Sequence, residues 1–191
     1  MKKQIHNPKL FIIAVIALRE AKFWSSTVSS DEFENKNILF ISFCSVASKY
    51  LEKQGHECFC IFNSKSSFRS LEKISKRKVN DPIFLHESLT FANSKKFVWK
   101  KYKKLHDKIY TFLKLFLDKR AFPIDSIFVI QELGAFAPVI ALFDACQNLK
   151  INHFFCEPSI IPGHTFLLKN TLDFKPIDSL EISKKLLEFK K

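Results

Sequence analysis

The stretch from Asp125 to Gly163, DSIFVIQELGAFAPVIALFDACQNLKINHFFCEPSIIPG, decides the fold. Ser126 to Ile130 is a continuous apolar, partly β-branched run, the pattern of a strand buried on both faces. Gln131-Glu132-Leu133-Gly134 breaks that run. From Phe136 to Leu149, residues Val139, Ile140, Leu142, Phe143 and Cys146 recur at helical spacing, with Asp144, Gln147 and Asn148 on the other side. Lys150 to Asn152 turns the chain, and Ile151 to Cys156 is a second apolar strand. Strand, helix and strand in this order form a βαβ unit, with parallel strands and a right-handed crossover. Ligands of such sheets bind beyond the carboxyl ends of the strands. Here those ends carry Gln131 to Gly134 and Glu157 to His164.

A second unit of the same kind lies upstream. Asn37 to Phe43 (NILFISF) reads as a strand, and Cys44 to Gln54 as a helix with Val46, Ala47, Tyr50 and Leu51 facing inward. Gly55 supplies the left-handed residue that ends the helix, and His56 to Phe62 is the next strand. Alternating strands and helices predict an α/β fold, a Rossmann-like three-layer domain with a mostly parallel sheet. Its expected span is 37–175, preceded by an N-terminal helix and linker over 1–36 and followed by a C-terminal helix over 176–191, where Ile182, Leu186 and Leu187 hold helical spacing.

Within the first segment, Leu10 to Leu18 (LFIIAVIAL) reads as the middle of a buried or interfacial helix over 8–24, with Asn7 as N-cap and Pro8 at N1. It is too short for a membrane span, which needs roughly 18 apolar residues. Arg19-Glu20 follow at once without a small-residue cleavage site, which argues against a secretory signal. Residues 25–36 read as a polar linker. Residues 63–80 read as a basic surface helix with flanking loops, Pro82 to Leu85 as a short strand, and His86 to Ala92 as a loop. Ser94 to Arg120 reads as one long helix burying Phe97, Tyr102, Leu105, Ile109, Phe112, Leu113 and Phe116, and residues 164–175 as a loop.

The 191 residues suffice for one good core, and 47% hydrophobic content with 22 Phe excludes a disordered chain. A net charge of +12 favours anionic partners. The Lys95–Lys104 run, KKFVWKKYKK, interleaves lysines with aromatics. One account is a solvated helix face with an aromatic stripe turned inward; the other is contact with an anionic membrane surface. Nucleic acid is disfavoured, because no recognition motif accompanies the charge. Five cysteines without CxxC spacing suit reduced thiols in a cytoplasmic protein.

The first βα turn, Ser42-Phe43-Cys44-Ser45-Val46, lacks glycine, and neither GxGxxG nor GxxxxGK[ST] occurs. The sequence thereby argues against an ordinary NAD enzyme and a P-loop NTPase. The candidate catalytic residues are Glu157 and Glu132, one carboxylate after each strand of the central unit, placed to act as a general base or to bind a sugar hydroxyl. A helix cap would explain Glu157 equally well. Gly134, Ser159, Gly163 and His164 at the same edge, with Ser45 in the first βα turn, complete the substrate-binding set. Turns need glycine on their own account, and a loop histidine is commonly just solvated. His153 lies inside a strand and reads as a core residue. No metal-ligand spacing occurs.

The segments NILFISFCSVASKYLEKQGHECFCIF and DSIFVIQELGAFAPVIALFDACQNLKINHFFCEPSIIPGHT resemble the N-terminal Rossmann-like domain of GT-B glycosyltransferases, and within them the bacterial capsule polysaccharide biosynthesis proteins. The likeness runs over residues 37–170 and rests on the helix ending Ala141 to Ile151 and the E-x-x-x-x-P pattern of Glu157 to Pro162. It implies a single half of a GT-B architecture, the acceptor side, with Glu157 as base toward a saccharide or lipid-linked acceptor. It also implies no tightly bound cofactor, and a sugar nucleotide donor only once a second domain or partner chain is present. The location implied is cytoplasmic, peripheral to the inner membrane. The rival readings are a non-catalytic protein-interaction module of the same fold and a basic membrane- or nucleic-acid-associated protein.

Overall fold

The computed structural model describes residues 8–62, 77–120, 122–132, 134, 136–158 and 165–170. In chain order its elements are β1 (Leu10–Val15), α1 (Leu18–Val28), β2 (Asn37–Ser42), α2 (Ser45–Lys53), β3 (Cys58–Cys60), α3 (Leu85–Thr90), α4 (Lys95–Arg120), β4 (Ile127–Glu132), α5 (Ala137–Leu149), β5 (Asn152–Pro158) and β6 (Thr165–Lys169). The strands form one sheet of order β3-β2-β1-β4-β5-β6, parallel except for β6, which runs antiparallel to β5. Helices cover both faces. Ile13, Val15 and Phe40 pack with Ala21 and Trp24 of α1 and Leu51 of α2. Ile12, Leu39 and Val129 on the opposite face pack with Tyr102 and Ile109 of α4 and Ile140 of α5. The fold is α/β and Rossmann-like.

The N-terminal segment corrects the sequence reading. Residues 10–15 are not a helix but the central strand β1, hydrogen-bonded between β2 and β4. A short apolar run has no period of its own that separates a buried strand from a buried helix, so neighbours decide. As a strand, Leu10, Ile12, Ile13 and Val15 are all buried, each contributing roughly 1.5–3 kcal/mol. The helix starts only at Leu18 and runs through Val28, into the stretch expected to be linker, and a 3-10 turn at Asp31–Phe33 follows.

Both βαβ units stand where expected. Gly55 adopts φ +83°, and the His56 and Gly55 N–H groups close α2 on the Leu51 and Glu52 carbonyls. Val46 departs from expectation: it points to solvent, while Ala47 and Leu51 fill the interface. Residues 82–90 are a 3-10 turn at Pro82–Phe84 followed by α3, not strand and loop, because Asp81 accepts the Ile83 N–H and starts helical winding. α4 spans its expected range, with Phe97 exposed instead of buried. In the stretch expected to be loop, Thr165–Lys169 is β6, which takes the free edge of β5. Most of the expected basic helix over 63–80, and the expected terminal helix over 176–191, lie outside the described residues.

Candidate functional site

The chain leaves β1 into α1 on one face of the sheet and leaves β4 into α5 on the other. Since β1 and β4 are neighbours, their carboxyl ends form the topological switch point, where the diverging turns open a crevice. Glu132 closes β4 there, half-buried and level with Cys156 of β5. Glu157 is the next residue of β5, also half-buried, and strand alternation turns it to the opposite face of the sheet. The two expected carboxylates therefore sit on adjacent parallel strands, at one edge, on opposite faces.

A third carboxylate joins them that the sequence reading missed. Glu20, in the first turn of α1, is buried, and its Oε2 accepts the Ile16 N–H at 2.6 Å. Burial pushes its carboxyl above the ordinary range, against the lowering pull of the Ile16 and Ala17 N–H groups and the Arg19 guanidinium. Glu132 is raised as well, by burial first and then by the Glu20 charge, with Glu157 adding to it and Arg19 opposing. Burial, Glu132 and Glu157 together hold the Cys156 thiol protonated. The signal for Glu20 was half present: it stands three residues after the N-cap Ala17, the place from which a capping-box glutamate reaches back. The signal is hidden when 8–24 reads as one helix, since Glu20 then falls inside it and not at its start.

Among the described residues, the turns after β1, β2 and β4 are closed by the chain's own oxygens. Glu20 serves α1, and Glu87 Oε2 accepts the Ala137 N–H at the start of α5 at 2.5 Å. Ser42 Oγ accepts the Cys44 N–H before α2. A helix N-terminus attracts phosphate through free N–H groups and the helix dipole. At α1 and α5 a carboxylate already occupies that place and repels a second anion. The geometry suits neutral, hydroxyl-rich ligands at the crevice better than a nucleotide diphosphate.

Of the remaining expected residues, Ser45 is exposed at the first position of α2. Gly134 is half-buried beyond β4, and a Cβ there would meet Phe136 and Val139 at ordinary distances of 3.6 and 3.8 Å, so no crowding within the domain demands glycine. Ser159, Gly163 and His164 lie outside the described residues. His153 is a core imidazole, fully buried, with Nε2 2.7 Å from Gln131 Nε2 and a pKa pushed by burial to about 3. All five cysteines are free thiols, and burial chiefly raises Cys58 to about 11. Among the described residues no cluster of three or more His, Cys, Asp or Glu could hold a metal ion, and no helix is long and apolar enough to cross a membrane.

Glu132→Gln is expected to stabilise the protein at neutral pH by about 0.5 kcal/mol, a figure reduced for solvent screening. The folded-state pKa is raised above 4.5, so the native state binds the proton more tightly than the unfolded chain and stability falls as pH rises through that window. The gain should appear in urea midpoints at neutral pH and fade to nothing as pH falls well below 4.5, where both states are protonated. A loss of stability at neutral pH would show that Glu132 is held by structural partners.

No family model matches the chain, and no curated protein matches it. Among solved structures it is similar to one described as glycosyltransferase VinC in complex with DTDP, at a TM-score of 0.30 and 12% identity, over 75% of this chain and 33% of that one. The chain thus spans about a third of that protein's length, and at this score the likeness carries no argument; the Rossmann-like fold stands on the strand order itself.

Proposed function

We propose that this domain is the acceptor-side half of a GT-B-type glycosyltransferase of bacterial surface polysaccharide biosynthesis, its donor sugar nucleotide held by a second domain or partner chain. The observation that carries the reading is the placement of half-buried Glu132 at the switch point and of half-buried Glu157 at the end of the neighbouring strand β5. Glu157 takes the proton of an acceptor hydroxyl as that oxygen attacks the anomeric carbon. The bond from that carbon to the phosphate oxygen breaks, and the nucleoside diphosphate leaves with the electron pair. Glu132 accepts a hydrogen bond from a neighbouring hydroxyl. Ser45, Gly134, Ser159, Gly163 and His164 border the acceptor. The self-capped helix ends support a division of labour in which this half leaves the nucleotide to the other.

The test is transfer from a panel of sugar nucleotides by the chain joined with its second domain. Glu157→Gln is expected to lower kcat by about 10²–10⁴-fold, the usual weight of a positioned base, with the thermal midpoint nearly unchanged. Undiminished transfer in that variant would overturn the assignment. A fall in stability with intact transfer would make Glu157 structural.

A further inference from the structure

At the β3 edge of the sheet, on the same carboxyl side as Glu132, a cavity of about 440 Å³ opens between the end of β3 and α4. It lies three strands from β4, and none of its lining residues is Glu20, Glu132 or Glu157. Its walls include Lys100, Lys101, Lys104 and Lys108 from one side of α4, with Phe97 and Phe62. Lys100, Lys104 and Lys108 stand one turn apart, about 6 Å per step along the helix. Like charges at this spacing repel and weaken a helix. Lys101 has a partner in Glu87 at 2.6 Å, and Lys108 donates to the Ile61 carbonyl oxygen. Among the described residues neither Lys100 nor Lys104 has a carboxylate partner. Burial, then the neighbouring Lys104 ammonium, push Lys108 below the usual lysine range. Phe62 and Phe97 stay more than half exposed, at 56% and 55%, which an isolated chain gains nothing from.

A row of self-repelling ammonium groups beside bare aromatic rings, around a cavity of ligand size, calls for an anion with an apolar body. We infer that this cavity binds a phosphate-headed amphiphile, with Lys100 and Lys104 on the phosphate oxygens and Phe62 and Phe97 along the hydrocarbon. Lys108 holds the β3 end in place through Ile61. The phosphate belongs either to a bilayer headgroup or to a soluble amphiphile, and both present the same chemistry to the lysines. The inference stands independently of the glycosyltransferase reading.

The experiment is calorimetric titration of the whole chain with octyl phosphate, inorganic phosphate and octyl glucoside, the last two carrying only the anion or only the hydrocarbon. Octyl phosphate is expected to bind at least about tenfold tighter than either, the scale of one charge-assisted hydrogen bond. Lys100→Gln with Lys104→Gln, both at exposed positions, should weaken it about tenfold or more, and Phe97→Ala should weaken it several-fold. Equal binding of inorganic phosphate, or unchanged affinity in the double variant, would overturn the proposal. Co-sedimentation with phosphatidate-containing vesicles identifies the source. Vesicle binding lost in the double variant assigns the phosphate to a bilayer, and octyl phosphate binding without vesicle binding assigns it to a soluble amphiphile. Vesicle binding that survives the double substitution, without octyl phosphate binding, would refute the pocket in favour of diffuse surface adsorption.

Discussion

Replacing Asp144 with alanine is expected to lower the unfolding free energy by about 3 kcal/mol, the cost of breaking a mostly buried ion pair. Arg77 donates from Nε and Nη2 to the two Asp144 oxygens, at 2.5 and 2.8 Å, a bidentate fork. The fully buried Tyr102 donates its hydroxyl to Asp144 Oδ2 at 2.8 Å. Arg77 is further held by Asp81 at 3.2 Å, and its carbonyl accepts the Trp99 indole N–H. One carboxylate thus ties α5 to α4 and to the segment leading into the Pro82 turn. The two side chains are only 22% and 16% exposed, so solvent screens the pair weakly. Asp144→Asn keeps the shape and an acceptor oxygen and should cost roughly half as much. Urea midpoints for the two variants measure the difference. A loss under about 1 kcal/mol in the alanine variant would place the pair with ordinary surface ion pairs.

Glu87→Ala comes next, with an expected loss of about 2–3 kcal/mol. The Glu87 side chain is only 1% exposed. One oxygen takes the Lys101 ammonium at 2.6 Å and the other takes the Ala137 N–H. Its removal uncaps α5 and strips Lys101 of its counter-charge. Glu87→Gln still accepts from Ala137 and should recover about 1 kcal/mol, the value of the cap. Amide exchange gives the signature: protection of the first turn of α5 should fall in the alanine variant and persist in the glutamine variant. Equal loss in both would show that the Lys101 charge, not the cap, sets the effect.

These two carboxylates show where sequence reading stops. On α5, Val139, Ile140 and Leu142 gave the correct buried face, because apolar periodicity follows from one-sided packing. Asp144 fell on the polar side of the same pattern, and that side faces Arg77 from a segment 67 residues away. Glu87 falls in a stretch whose sequence reads as loop, yet it closes a helix 50 residues downstream. The place of Glu132 and Glu157 at the sheet edge was legible because each directly follows an apolar run, although the strands β4 and β5 extend to include them. Their turning to opposite faces came only from the register Glu132↔Cys156, and Glu20 joined them only once Leu10–Val15 became a strand.

By itself the sequence determined the α/β class, the two βαβ units and the long α4, because each is a local alternation of apolar period and turn residues. The tertiary structure alone decided the element at the centre. Leu10–Val15 is equally apolar as helix or strand, and only pairing with β2 on one side and β4 on the other satisfies its backbone while burying both faces. The same pairing sets β1 beside β4, creates the switch point and brings Glu20 to Glu132. Hydrogen bonds between distant strands and charges meeting across a crevice leave no periodic trace along the chain, and so they became visible only in the folded protein.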